Sequence, residues 1–131
     1  MTYTGDLSPT DAASVLAERD DAVLLDVRTE AEWSWVGVPA IENMRFVEWV
    51  SWPSGERNPR FVAEATGGLD PEQPVVIICR SGGRSAAAAD VLTDAGFVEV
   101  YNVLEGFEGD LDEDEHRTGG WRGAGLPWRQ G

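Results

Sequence analysis

Two short apolar runs, Val23-Leu24-Leu25-Asp26-Val27 and Val75-Val76-Ile77-Ile78, have the length of β-strands but lack the alternation that one wetted face imposes. Strands of this kind are buried on both faces, which favours a parallel sheet covered by helices. A third stretch, Val98 to Leu104, alternates in part and predicts another strand. Between the second and third, Ala88, Val91, Leu92 and Ala95 fall at helical spacing, and Gly96 stands where that helix should end. Near the start, Ser8-Pro9-Thr10-Asp11 reads as a helix N-terminus. Ser8 is its cap, Pro9 takes the first helical position, and Ala12, Val15 and Leu16 share one face. Strand, helix, strand recurs, so the expected class is α/β, with ligands bound beyond the carboxyl ends of the strands.

At 131 residues the chain is expected to form one compact domain over 1–131, long enough to bury roughly two thirds of the surface its unfolded form exposes. Ten Lys and Arg against 24 Asp and Glu give a net charge of -14, which repels phosphate backbones and anionic lipid heads. Neither nucleic acid nor a membrane is an expected partner, and no window approaches the run of about 18 apolar residues that a membrane span needs. One cysteine closes no disulfide within the chain, and the start, Met1-Thr2-Tyr3-Thr4-Gly5-Asp6, lacks the basic and apolar stretches of a secretory signal. The expected location is the cytoplasm. The stretch from Glu42 to Pro74, with Trp49, Trp52, Pro53, Gly55 and Pro59, reads as a covering segment around a helix at Arg60 to Ala65. Residues 105–115 form an acidic loop, and the tail carries Trp121 and Trp128 amid Gly and Pro.

The chemistry concentrates at Cys79, the only cysteine, which follows the second apolar run and opens the segment Cys79-Arg80-Ser81-Gly82-Gly83-Arg84-Ser85. A Gly-rich turn can aim successive amides inward, and the helix start that follows adds positive potential at the same point. Two arginines strengthen that field. Such surroundings favour the thiolate, the nucleophilic form of cysteine. The expectation is an ionised sulfur, reachable from solvent, inside a ring of inward-facing amides.

Several segments taken in order resemble the single-domain rhodaneses, sulfurtransferases that carry sulfur as a cysteine persulfide. Leu25-Asp26-Val27-Arg28, Glu32-Trp33 and Gly37-Val38-Pro39-Ala40 resemble the family's first signature, and Cys79 to Ser85 resembles its active loop. Gly106 and Gly125-Leu126-Pro127-Trp128 fit its closing segment. Position 38 departs from the pattern, being Val where the family commonly has His, and the 105–120 segment is longer and more acidic. The resemblance implies a rhodanese-like α/β fold, a central parallel sheet of about five strands with helices on both faces. It also implies a thiosulfate:cyanide-type activity. Cys79 would attack the outer sulfur of a thiosulfate-like donor, release sulfite, and pass the sulfur to cyanide or a thiol in a ping-pong cycle. Arg80 and Arg84 would attract the donor's oxygens, amides from Arg80 through Gly82 and Gly83 to Arg84 would surround the persulfide, and Ser81 and Ser85 would add hydroxyl donors. No cofactor or metal is implied. With no second cysteine, discharge must go outward, to a small acceptor or a partner protein's thiol.

Two rivals follow from the same residues. A persulfide carrier would take sulfur from a dedicated partner and turn over free donor poorly. A cysteine-dependent phosphatase needs five residues between Cys and Arg; here four separate Cys79 from Arg84, and the sixth residue after Cys79 is Ser85, so the cradle suits one sulfur better than a phosphoryl group. Arg80 and Arg84 have a plainer reading as surface cations paired with acids, with Arg84 the better candidate for a site role. Asp26 and Arg28 read as a scaffold pair closing a buried strand, with Glu32 as a further partner. His116, the only histidine, reads as solvated, and Asp110, Asp112, Asp114 and Glu115 do not match a calcium loop because Glu115 stands where a turning Gly is needed. Trp49 and Trp52 are candidates for the wall of a pocket mouth.

Overall fold

A computed structural model describes residues 2–130. In chain order the elements are β1 (Gly5–Leu7), α1 (Pro9–Glu18), β2 (Val23–Asp26), α2 (Glu30–Trp35), β3 (Val38–Pro39), β4 (Met44–Phe46), α3 (Phe61–Thr66), β5 (Val75–Ile78), α4 (Gly83–Asp94), β6 (Val100–Val103), α5 (Gly120–Gly123) and β7 (Trp128–Arg129). Five strands form one sheet in the order β1-β6-β5-β2-β4, and every neighbouring pair is parallel. The fold class expected from the sequence is therefore observed.

The period-2 alternation of side chains divides the apolar runs between the two faces. Leu25, Val75, Ile77 and Val100 point to one face, where Phe61 and Ala65 of α3 and Ala88, Ala89 and Leu92 of α4 cover them. Leu24, Val76 and Ile78 point to the other, against Ala12 of α1 and Trp121 of α5. Burial on both faces is why β2 and β5 show no polar alternation. Register lines up Asp6, Asn102, Ile77 and Leu25 across four strands, so a polar pair shares a row with two core residues.

Ser8 caps α1 as expected, its side chain accepting from the Asp11 amide at 3.1 Å. The helix expected at Arg60 to Ala65 is α3, displaced by one residue. The covering segment around it also supplies a parallel edge strand, β4, which pairs with β2. The small antiparallel pair β3 and β7 ties the chain end back beside α2. In the acidic loop Asp112 folds a turn on itself, its carboxylate accepting the amides of Asp114 at 2.9 Å and His116 at 2.8 Å. Among the described residues no helix is long and apolar enough to cross a membrane.

Candidate active site

Strand β5 ends at Ile78, and Cys79 begins the turn that leads into α4. Gly82, the residue before α4, adopts φ +112°, a left-handed conformation open to glycine, and this turns its amide back onto the cysteine. That N–H donates to Cys79 Sγ at 3.1 Å. Ser85, in the first turn of the same helix, places Oγ 3.2 Å from Sγ. Glycine is equally required at 106, where φ is +55° and an added Cβ would lie 2.6 Å from the Arg80 carbonyl carbon. The chain crosses there in contact with the turn. The Phe107 amide donates to the Cys79 carbonyl at 2.7 Å, and those of Glu108 and Gly109 donate to the Arg80 carbonyl at 3.0 and 3.3 Å.

Three features differ from the sequence expectation. Cys79 is 1 % exposed rather than open to solvent, because the turn folds its sulfur inward and the core cluster that includes Leu25, Val27 and Trp49 closes beneath it. Of the loop amides, that of Gly82 donates to the sulfur, so the resting cradle is one amide and one hydroxyl rather than a ring. The two arginines also differ in their pairing. Arg84 forms a two-pronged pair with Glu32, Nη1 to Oε1 at 2.7 Å and Nη2 to Oε2 at 2.9 Å. Arg80 is exposed, and among the described residues its guanidinium has no ion pair or hydrogen bond. Ser81 is half-buried beside it, and Gly83 is the exposed first residue of α4.

Glu32 is itself fixed. Thr29 caps α2, accepting the Glu32 amide at 3.3 Å, and its own amide and hydroxyl donate to Glu32 Oε1 at 3.3 and 3.1 Å. Burial pushes the Glu32 carboxyl up, but the hydrogen bonds and charge of Arg84, the Thr29 amide and the charge of Arg28 together hold it below the ordinary carboxylate range. Arg84 is held protonated more firmly than usual, first by its hydrogen bonds to Glu32, against the opposing effect of burial, and then by the charges of Glu32, Cys79 and Asp26.

Sequence reasoning missed the polar support on the other side of the sulfur. Ser85 Oγ also lies within hydrogen-bond reach of Asn102 Oδ1 of β6, so its single proton is shared between that oxygen and Cys79 Sγ. Asn102 Nδ2 donates to Asp6 Oδ1 at 3.0 Å, which also accepts the Tyr3 hydroxyl at 2.7 Å. The hydrogen bond to Asp6, then burial and the Asp6 charge, push the Tyr3 phenol up to about 12, so it remains a donor at neutral pH. With Asp6 holding the amide end of Asn102, its carbonyl end must face Ser85. The available signal was one polar residue inside the apolar strand Val100-Tyr101-Asn102-Val103.

The scaffold reading of Asp26 and Arg28 fits the geometry. Both are fully buried, Arg28 Nη2 donates to Asp26 Oδ2 at 2.7 Å and to the Gly37 carbonyl at 2.8 Å. Nη1 has no hydrogen-bond partner among the described residues, and the guanidinium carbon instead lies 4.4 Å from the Phe107 ring centroid. Glu32, expected beside this pair, feels the charge of Arg28 but makes its hydrogen bonds to Arg84. Trp49 is a core residue, packed edge to face on Phe61 at 4.9 Å, while Trp52 does line the cleft that adjoins the loop. His116 is exposed in the acidic loop.

That cleft holds about 600 Å³ between α2, the 50–55 segment and the cysteine loop. Trp35, Val36, Val50 and Trp52 form its apolar walls, and Arg80 and Arg84 its basic side. A sulfur cradled by donors beside a cationic cleft can act as a nucleophile toward a small anion and hold the charge that results.

Comparison with known proteins gives a consistent picture. The family model for the rhodanese-like domain matches residues 8–113. The crystal structure of Rv0390 from M. tuberculosis superposes with a TM-score of 0.92 at 47% sequence identity, covering 99% of this chain and 100% of that one. The polysulfide-sulfur transferase homodimer of Wolinella succinogenes gives a TM-score of 0.69 at 32% identity, covering 98% and 80%. An uncharacterised protein of Rickettsia conorii is 36% identical over 92% of this chain and 93% of its own length.

Proposed function

The chain belongs to the rhodanese-like domain family, and from that premise we propose that it is a sulfurtransferase whose carrier is a persulfide on Cys79. The observation that carries the reading is the convergence of the Gly82 amide and the Ser85 hydroxyl on Sγ at the carboxyl end of a buried parallel strand. The thiolate attacks the outer sulfur of thiosulfate. The S–S bond of the donor breaks, its electron pair leaves with sulfite, and Cys79 keeps one extra sulfur as an anionic persulfide. Gly82 and Ser85 are placed to stabilise that anion, and Arg80, exposed and unpaired among the described residues, gathers the donor's oxygens. Arg84 is a positioning residue, holding the loop against α2 through Glu32. Cyanide or a thiol then removes the outer sulfur and restores the thiolate. No cofactor is needed for this balance. A reducing, cytoplasmic compartment suits a lone functional thiol and supplies thiol acceptors.

The near-complete burial of Cys79 favours a second reading, in which the protein shields its persulfide and delivers it to a docked partner. Steady-state assay with thiosulfate and cyanide separates these and tests both against the alternatives. The enzyme reading expects thiocyanate production by the wild type and none by Cys79→Ala. Stable sulfur loading without thiocyanate favours the carrier, and full activity in Cys79→Ala overturns the persulfide.

A further inference from the structure

Helix α2 buries none of its six residues, and a second recess lies beside it, apart from the cysteine loop. This trough of about 470 Å³ is lined by Glu30, Trp33, Phe46, Glu48, Asn58 and Glu64, from α2, β4, α3 and the segment between them. It continues past Glu30 and Glu48 into a hollow of about 340 Å³ beside Ser34. Among the described residues none of the three glutamates has an ion pair. Neutral groups hold two of the carboxylates in place. Glu48 accepts the Glu30 amide at 3.0 Å, and Glu64 accepts Asn58 Nδ2 at 2.8 Å, while that Nδ2 also donates to the Glu48 carbonyl at 2.9 Å. Arg45 and Arg57, carried by the same stretch of chain, have other partners. Arg45 donates to the carbonyls of Glu64 and Ala65 at 3.3 and 3.4 Å, and Arg57 lies 4.2 Å over the Trp49 ring. Next to the carboxylates Phe46 is 37% exposed and meets Trp33 edge to face, with centroids 5.4 Å apart.

Carboxylates without counter-ions beside an open aromatic ring fit a guanidinium, which pairs with carboxylates in two-pronged fashion and stacks on ring faces. We infer that this trough docks an arginine-bearing segment of a partner protein, with guanidinium groups on Glu30, Glu48 and Glu64 and one of them against Phe46. Charge complementarity selects that occupant. At a net charge of -14 the chain repels anionic partners and draws a basic one from a distance. At about 30 Å³ for each water-sized group, one arginine side chain takes about 200 Å³, so trough and hollow together have room for more than one. That extent favours a peptide segment over a small free amine. Docking makes and breaks no covalent bond, and Cys79 takes no part in it, so the inference stands apart from the persulfide chemistry.

An acetylated tri-arginine amide serves as the probe, titrated into the full chain at low salt and followed by calorimetry and heteronuclear NMR. Saturable one-to-one binding is expected. The Trp33 indole N–H, buried without a hydrogen-bond partner among the described residues, should be among the resonances that move. Glu30→Gln, Glu48→Gln and Glu64→Gln keep an acceptor oxygen and remove the charge, and each should weaken binding about threefold to fivefold. Phe46→Leu leaves the charge unchanged and should weaken it about threefold. Glu113→Gln, an exposed position in the acidic loop, removes the same charge outside the trough and should leave the affinity unchanged. Thermal melts verify that each variant folds. Equal losses from Glu113→Gln and the trough variants would reduce the binding to general attraction and overturn the inference, as would wild-type affinity in Phe46→Leu. Spermidine binding as tightly and moving the same resonances would place a free polyamine there instead, and would also overturn it. Cys79→Ser should bind the peptide as the wild type does, which keeps this test separate from that of the persulfide.

Discussion

Arg84 and Glu32 face each other as a two-pronged ion pair, with N–O distances of 2.7 and 2.9 Å across 52 residues of sequence. Arg84 lies in the first turn of α4 and Glu32 in the first turn of α2, so the pair joins the helix that starts under Cys79 to the opposite wall of the cleft. The Arg84 side chain is 25% exposed and that of Glu32 19%, which shields the pair without burying it. The loop's geometry therefore rests on a contact outside the loop.

Glu32→Gln keeps the shape and removes the charge. The expected cost is about 1–2 kcal/mol, as for charge-assisted bonds at a partly shielded site. For a chain of this size that lowers Tm by roughly 4–8 °C. Because the loop loses its tether, kcat/KM with thiosulfate should also fall. Thermal melts and initial rates on the same preparation test this, and a variant with unchanged Tm and rate would show the pair to be ornamental.

The pair has a definite pH dependence. Glu32 is held below its ordinary value of 4.5, so its contribution is complete above that value and is lost as pH falls through the lowered one. Arg84 is raised above its ordinary value, and its contribution is complete below that value and is lost only as pH rises through the raised one, beyond the working range. The Tm difference between wild type and Glu32→Gln should accordingly stay constant from neutral pH to about 5 and shrink below that. A difference that persists into acid, or that shrinks on the alkaline side, contradicts the assignment.

Ser85→Ala removes the hydroxyl that faces both Sγ and Asn102. Loss of one donor from a charge-stabilising site costs on the order of tenfold to a hundredfold in the rate of persulfide formation. Ser85→Thr, which retains the hydroxyl, should recover part of it. Single-turnover measurement with thiosulfate reads this directly, and equal rates for wild type and Ser85→Ala would remove the hydroxyl from the mechanism.

Gly106→Ala probes the floor of the loop. The new methyl would meet the Arg80 carbonyl carbon at 2.6 Å and its oxygen at 2.7 Å, both backbone atoms, at a φ of +55°. The clash must be relieved by displacing the turn that carries Cys79, so activity should be nearly abolished and stability should fall by about 3 kcal/mol or more. Wild-type melting and turnover in this variant would refute the close approach.

The sequence made the sheet's centre and its nucleophile legible because the responsible residues are contiguous. Val75 to Ile78 reads as a doubly buried strand, the glycines and serine after Cys79 read as a turn into a helix, and Ala88 to Ala95 reads as that helix. What escaped is short or distributed. β1 and β4 have three residues each, too few for a period to show. Helix α2 buries none of its residues, although Thr29 with Glu32 three places on was a visible capping box. The pairing of Arg84 depends on Glu32 arriving from 52 residues away, and the burial of Cys79 depends on core residues as distant as Leu25 and Trp49. Neither has a local signal. Asn102 and Asp6 meet through strand register alone.

The central claim is that Cys79 holds one transferable sulfur. Intact mass of the full chain, measured after incubation with thiosulfate and removal of excess donor, should show a gain of one sulfur atom in the wild type and none in Cys79→Ser. Cyanide should return the mass to its starting value with one thiocyanate released per chain. A wild type that gains no sulfur from thiosulfate, or a Cys79→Ser variant that gains it equally, would contradict the account.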